Sequence, residues 1–479
     1  MAKERTKLEV AAERAVLAAV RLPDSDHDQS DPFGELRALA EQAGAVVVGE
    51  CSQKLDRPIA GTYIGRGKIE ELKGLCDELG AQTILFDHDL SPRQIANLEK
   101  ETGRKIVDRS ELILDIFASR ATTAEARLQV ELAQLEYTFP RLRAMWDHLE
   151  RISGGGGVSG IGTRGPGEMQ LEIDRRLVQR RKLELQRNLA DIQARKRREV
   201  AARKREHFTV GLVGYTNAGK STLFNTLTSG GAYADNRLFA TLISRTREWN
   251  LGGTLGVMLT DTVGFVRDIP HHLVASFKST LEEATHADLL LIVLDVSDPA
   301  AELHYTTVND VLDELFDELR DSRHEEDKRW APPQRIVLLN KADRLRDNTE
   351  LLAWQEKVPG SIPICALPAP AERPDSGQQA LMARVRDLAQ GEVEEFRITL
   401  PIKDGKTIHL IETRGEVLRR EYEGDDVTLH ARIGARQIAR LRSAGARLHV
   451  VNRKGEELPP EPDTRATGWR REEPGRSQR

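Results

Sequence analysis

Cysteines are few in this chain, and long apolar runs and a large excess of one charge sign are missing from it. Cys51, Cys76 and Cys365 are its only cysteines, widely separated over 479 residues. That excludes a disulfide framework and a paired-cysteine zinc spacing. No stretch approaches the roughly 18 consecutive apolar residues of a membrane span. The most apolar run, Leu289 to Val296, lies among aspartates and suits a buried strand. Met1 to Val20 mixes lysine, arginine and glutamate, so it lacks the uncharged core of a signal peptide. The balance of 71 basic against 76 acidic residues, net −5, argues against bulk coating of nucleic acid. These absences predict a cytoplasmic protein with no membrane insertion and no DNA partner. With 39 % hydrophobic and 31 % charged residues, the chain reads as soluble and long enough for two to four cored domains.

What is present is unevenly placed. Between Arg175 and Glu206 stand 13 basic residues and only 4 acidic ones. Such a stretch is either a footprint for phosphate or a solvated helix face.

The pattern predicts an α/β multidomain chain. A polar, partly helical extension (1–34) precedes an N-terminal α/β domain (35–122). In that domain Ala45–Val48, Thr83–Phe86 and Lys105–Val107 read as strands. Ile69–Leu79, a segment from Ser91–Pro92 to Lys100, and Glu111–Ala118 read as helices. Next comes an antiparallel helical hairpin (123–206), with Leu171, Val178, Leu185 and Ile192 on a seven-residue seam. Pro140 is expected to kink or break its first helix. The joining segment, Ser153–Gly167, is glycine-rich. It reads equally as a flexible linker or as a tip built for close approach to a partner. A nucleotide-binding domain with a mostly parallel sheet (207–391), a small α+β domain (392–453) and a disordered tail (454–479) complete the chain. In the α+β domain Phe396–Ile402, Thr407–Thr413, Glu416–Tyr422, Asp426–Ile433 and Arg447–Val451 read as strands, with a helix at Arg436–Ala444.

Chemistry concentrates in the fourth segment. A strand from Phe208 to Val213 leads into Gly214-Tyr215-Thr216-Asn217-Ala218-Gly219-Lys220-Ser221 and a helix opening at Thr222. This is a P-loop in its required setting: backbone amides wrap phosphates at a helix N-terminus, Lys220 reaches the β/γ-phosphates and the Ser221 hydroxyl ligates Mg²⁺. Asp261-Thr262-Val263-Gly264 follows the strand Leu255–Thr260; its carboxylate can hold a magnesium-bound water and the Gly264 amide can sense the γ-phosphate. Asn340-Lys341-Ala342-Asp343 follows Ile336–Leu339. The Asp343 carboxylate can accept the two hydrogens of the guanine edge, which adenine does not offer, so GTP is selected over ATP. Between these motifs, Asn236 to Thr241 is a candidate switch loop with Phe239, Ala240, Thr241, Leu242 and Ile243 beside the nucleotide. Thr241 is the candidate Mg²⁺ ligand and Thr246 its competitor. Lys220, Thr241 and Gly264 are the residues expected to act in hydrolysis. Phe265 stands where some GTPases carry a water-orienting glutamine. Water must then be placed by a partner, a backbone group or a monovalent cation. Asn217 suggests potassium, although asparagine also stabilises such a turn. His271 and His272 lie near and read as the start of the next helix.

With these residues in view, the chain resembles the HflX family of translation-associated GTPases from Phe33 to about Val451. The likeness is dense at Gly162–Glu172, Asp174–Arg176, Val213–Asn225, Asn236–Leu242 and Asp261–Arg267, and includes Tyr63–Lys68. The resemblance implies a GTP-binding and GTP-hydrolysing factor that engages the large ribosomal subunit and splits or rescues stalled or idle ribosomes. It implies too that Ser153–Gly167 reaches the peptidyl-transferase rRNA and that Arg175–Arg205 lies along RNA. Three departures stand out. Met169 replaces a usual threonine, Leu242-Ile243-Ser244-Arg245-Thr246 replaces Leu-Asp-Pro-Thr, and the guanine-contacting Ser-Ala segment is Cys365-Ala366-Leu367. A ribosome-assembly or RNA-processing GTPase, and an RNA-binding scaffold with a structural nucleotide, are the alternatives. A second nucleotide site around Gly65-Arg66-Gly67-Lys68 is a weaker suggestion.

Overall fold

The computed structural model describes residues 13–23, 31–153, 166–228, 244–252, 255–267, 286–321, 332–345, 347–367 and 376–458. The switch segment 236–243, most of the glycine-rich tip, His271 and His272 fall outside these residues.

The N-terminal domain is a four-stranded parallel sheet, ordered β2-β1-β3-β4: β1 Arg14–Arg21, β2 Val46–Lys54, β3 Thr83–Phe86 and β4 Lys105–Val107. This corrects the reading of 1–34 as a polar extension. Six apolar residues run unbroken between Arg14 and Arg21, the mark of a strand covered on both faces. Leu17 and Ala19 point into one core with α1 (Gly34–Gln42) and α4 (Arg109–Arg120). Val16, Ala18 and Val20 point into the other, with α2 (Arg66–Leu79) and α3 (Pro92–Thr102). Ser91 caps α3 with a reciprocal bond to Gln94, and Pro92 starts its first turn.

Helices α5 (Ala124–Ser153) and α6 (Pro166–Glu206) form the hairpin. Of the kink or break expected at Pro140, the break does not occur: α5 is one helix from Ala124 to Ser153. Leu185 and Leu189 pack on Leu132, with Leu128 and Leu135 beside them. Ion pairs Glu125–Lys196, Glu131–Arg181 and Glu136–Lys182 link the two helices. Asp108, at the start of α4, accepts from Tyr137 (2.6 Å) and Arg141 (2.6 Å), which fastens α5 to the N-terminal domain.

The second sheet is ordered β10-β9-β8-β5-β7-β6 and is parallel except for the β6–β7 edge. Its strands are β5 Thr209–Gly214, β6 Arg245–Asn250, β7 Gly256–Asp261, β8 Leu289–Asp295, β9 Gln334–Asn340 and β10 Ile362–Ile364. Helix α7 (Lys220–Leu227) follows β5 and α8 (Ala301–Asp321) follows β8. The C-terminal domain is an antiparallel sheet, β12-β13-β11-β14, of β11 Val393–Pro401, β12 Glu416–Glu423, β13 Asp426–Gly434 and β14 His449–Asn452. Here Thr407–Thr413, expected as a strand, lies in a helix, Gly405–Arg414. Asp404 caps it by accepting from the Thr407 amide (3.1 Å), and Thr407 and Ile411 go inward four residues apart. The β-branched residues Thr407, Ile408, Ile411 and Thr413 carry a strand signal that the cap and the inward pair override.

Candidate functional site

The four motif segments meet because each leaves the carboxyl end of a strand on the same edge of one sheet. The P-loop follows central β5, Asp261 ends β7, Asn340 ends β9 and Cys365 follows β10. In parallel sheets this edge, outside the strand ends, is where ligands bind.

Two glycines let the backbone close there. A Cβ at Gly214 would lie 2.3 Å from the Val293 carbonyl, and one at Gly219 would lie 2.3 Å from Asn340 Nδ2, with both residues at positive φ. Asn217 also takes a positive φ of 61°, which asparagine tolerates, giving it a backbone role in the turn. Its carbonyl accepts from Lys341 Nζ (3.0 Å), and Lys341 pairs with Asp295. Asn340 fastens the motifs together. Its Nδ2 donates to the Ala218 carbonyl (2.7 Å), and its Oδ1 accepts the Ala366 amide (3.0 Å). Thr226 then donates to the Ala366 carbonyl (2.7 Å). Asp343 and Leu367 stand exposed at the rim, Ala342 is half-buried, and the Cys365 thiol lies against Asp343. Burial first, and the Asp343 carboxylate second, push that thiol up. It therefore stays protonated and can donate a hydrogen bond.

Lys220 is buried, and burial pulls its ammonium down to about 8, against the opposing pull of Asp261. It donates to the Gly214 (3.0 Å) and Tyr215 (2.6 Å) carbonyls. Ser221 Oγ donates to Asp261 Oδ2 at 2.8 Å. A hydroxyl and a carboxylate within one hydrogen bond of each other form a hard-oxygen pair that fits Mg²⁺. Thr216 Oγ1 is buried with no hydrogen-bond partner among the described residues, a polar atom suited to a phosphate oxygen. The helix opens at Lys220, two residues before the Thr222 expected, because Gly219 serves as its N-cap; Thr222 lies in its first turn. Thr262 is buried and donates to the Leu212 carbonyl (2.6 Å), which holds the 261–264 segment on β5.

Thr246 sits in β6, bonded to Thr260 Oγ1 (3.0 Å) and to Arg203 Nη1 (3.1 Å). Its hydroxyl is thus committed to joining the basic helix to the sheet. Phe265 is 1 % exposed inside an apolar cluster, so its side chain places no water. Phe239, Ala240, Thr241, Leu242 and Ile243 lie outside the described residues. At Gly65–Lys68 the Gly65 amide donates to Gln53 (2.9 Å) and Lys68 pairs with Glu71 (2.7 Å).

Sequence reasoning missed one group. The Tyr215 hydroxyl is bonded to Glu35 of the N-terminal domain, and its ring stacks on His304 (3.8 Å between centroids). Nothing local signals a partner 180 residues away.

Comparison with known proteins agrees with this organisation. Residues 30–118 match the family model described as GTP-binding GTPase N-terminal, residues 120–205 its middle region, and residues 209–341 a 50S ribosome-binding GTPase. A protein named GTPase HflX from Lacrimispora saccharolytica is 38 % identical over 91 % of this chain and 97 % of its own. GTPase HflX of Chlamydia pneumoniae is 41 % identical over 83 % of this chain and 80 % of its own. That of Escherichia coli K12 is 38 % identical over 83 % and 87 %.

Proposed function

Because the chain belongs to the HflX family of GTPases, we propose that its GTP cycle times attachment to and release from the large ribosomal subunit, and that attachment splits stalled or idle ribosomes. The GTPase activity and the 50S-binding class come with the family. The roles of particular residues are our assignment. Residues 214–222 cradle the phosphates, with Lys220 on the β/γ oxygens. Ser221 and Thr241 hold Mg²⁺, which when bound offsets charge on those oxygens. Asp343 reads guanine, flanked by Cys365, Ala366 and Leu367. Asn217, exposed at the loop's turn, is the residue through which potassium would act. With Phe265 buried, the water is placed by a backbone group, by potassium, or by the ribosome.

The observation that carries the ribosomal reading is the continuity between arm and site. Helix α6 ends at Glu206 and β5, which feeds the P-loop, begins at Thr209. Arg203 ties the same helix to β6, the strand that follows the switch segment. Arg176, Arg180, Arg187, Arg195 and Arg198 stay exposed along its length, a surface suited to phosphate. A switch that moves β6 therefore acts on a basic lever some 40 residues long, by the span Pro166–Glu206 of 41. Deleting residues 154–165 tests the reading. The shortened protein is expected to hydrolyse GTP at its unstimulated rate but fail to split ribosomes. Normal splitting would refute the role of the tip.

A further inference from the structure

The P-loop is held from outside its own domain. Tyr215 donates its hydroxyl to Glu35 Oε1 (2.6 Å) and accepts the backbone N–H of Arg267 (2.9 Å). Arg109 pairs with Glu35 (2.9 Å) and Asp87 (2.6 Å), and donates to the Arg267 carbonyl (3.0 Å). Arg267 closes the ring on Asp87 (2.8 Å). Glu35, Asp87 and Arg109 belong to the N-terminal domain; Tyr215 and Arg267 belong to the GTPase domain. The formal charge sums to zero, with Asp87 0 %, Arg109 1 % and Arg267 8 % exposed and the Glu35 side chain half-buried at the edge of the cluster. Burial alone would push the Glu35 carboxyl up, but Arg109, Arg267 and the Tyr215 hydroxyl together hold it down. Val263 and Val266, on either side of Gly264 and Phe265, insert into the N-terminal core beside Leu112, Ile113 and Ile116.

Between these anchors Gly264 is pressed onto the P-loop. A Cβ there would lie 2.9 Å from both Lys220 Nζ and Thr216 Cα. Phe265 donates to the Gly214 carbonyl (3.0 Å) and accepts the Thr216 amide (2.7 Å). A γ-phosphate that is bound by Lys220 and reported by the Gly264 amide must enter where the Gly264 backbone packs against the Thr216 backbone and is held to the P-loop by the two Phe265 backbone bonds. Gly264 has to back away, and its neighbours on both sides are fixed to the other domain. Moving them disturbs a buried ion cluster whose members cannot be left unpaired cheaply. GDP asks for no such movement. A device that opposes one ligand and not the other shifts their relative affinity, and the coupling is reciprocal.

We propose that Glu35, acting through Tyr215 and Arg267, is a specificity-determining residue that biases this GTPase toward GDP over GTP. The bias rests on assigning Lys220 and Gly264 to the γ-phosphate and is independent of the ribosomal reading. The test uses the full chain with Glu35→Gln and Tyr215→Phe, titrated with fluorescent GDP and a fluorescent non-hydrolysable GTP analogue. In Glu35→Gln the analogue-to-GDP affinity ratio should rise on the order of tenfold, with GDP affinity within about twofold of the parent. Tyr215→Phe, which removes one hydroxyl, should shift the ratio the same way by less, and decides the matter alone should Glu35→Gln fail to fold. A ratio that stays constant or falls overturns the proposal. Failure of the parent chain to bind either nucleotide overturns the site assignment and this proposal with it.

Discussion

Glu111 offers a quantitative test of how the hairpin is seated. Its carboxyl is pushed up to about 7, first by burial and then by Asp108 and Asp115, with Arg141 and Lys105 opposing. The ordinary value is 4.5. An acid with a raised pKa keeps its proton longer when folded, so the fold loses stability as pH rises from about 4.5 to about 7, and the full penalty persists above. Linkage sets upper bounds of roughly 1.4 kcal/mol at about pH 5.5 and ~3 kcal/mol at about pH 8.5. Residual contact with solvent reduces the difference between the two conditions to ~1 kcal/mol. Glu111→Gln removes the ionisation and keeps the shape. It is expected to stabilise the protein, by ~1 kcal/mol more at the higher pH than at the lower. Thermal unfolding at the two pH values measures it. An equal effect at both, or a loss that grows with pH, would refute the reasoning. The consequence reaches the arm, because Tyr137 and Arg141 of α5 grip Asp108, whose charge raises Glu111.

Gly219→Ala forces a side chain into a positive-φ position and toward Asn340 Nδ2. GDP binding should weaken on the order of a hundredfold, from backbone strain and a displaced hydrogen bond; a fluorescence titration showing affinity near the parent's would refute the packing. Asp404→Ala removes the cap of the helix Gly405–Arg414 and should cost about 1 kcal/mol in a denaturant titration. No change would favour a strand there.

The segments that converge at the candidate site were legible because each is local. Each motif is a short run at a strand end, and strand ends announce themselves as apolar runs before glycine or aspartate. Asn340 and Ala366 come together in the fold because β10 and β9 are adjacent parallel strands. Three things were not legible. Arg14–Arg21 is rich in alanine and bounded by arginines, so its apolar run looked like part of a charged tail; only the neighbours β2 and β3 make it a central strand. Thr407–Thr413 has strand-forming residues, yet a single capping aspartate and the inward pair Thr407 and Ile411 settle it as a helix. The Glu35–Tyr215–Arg267 cluster depends on how two domains dock, and no spacing in a linear sequence carries that.

The central claim is that nucleotide state gates the ribosomal encounter. The most direct measurement is sedimentation of the full-length protein with large ribosomal subunits, in a non-hydrolysable GTP analogue and in GDP. The account predicts pelleting with the analogue and release with GDP. Equal pelleting in both states would contradict it, and would leave the basic arm bound to RNA without reference to the switch.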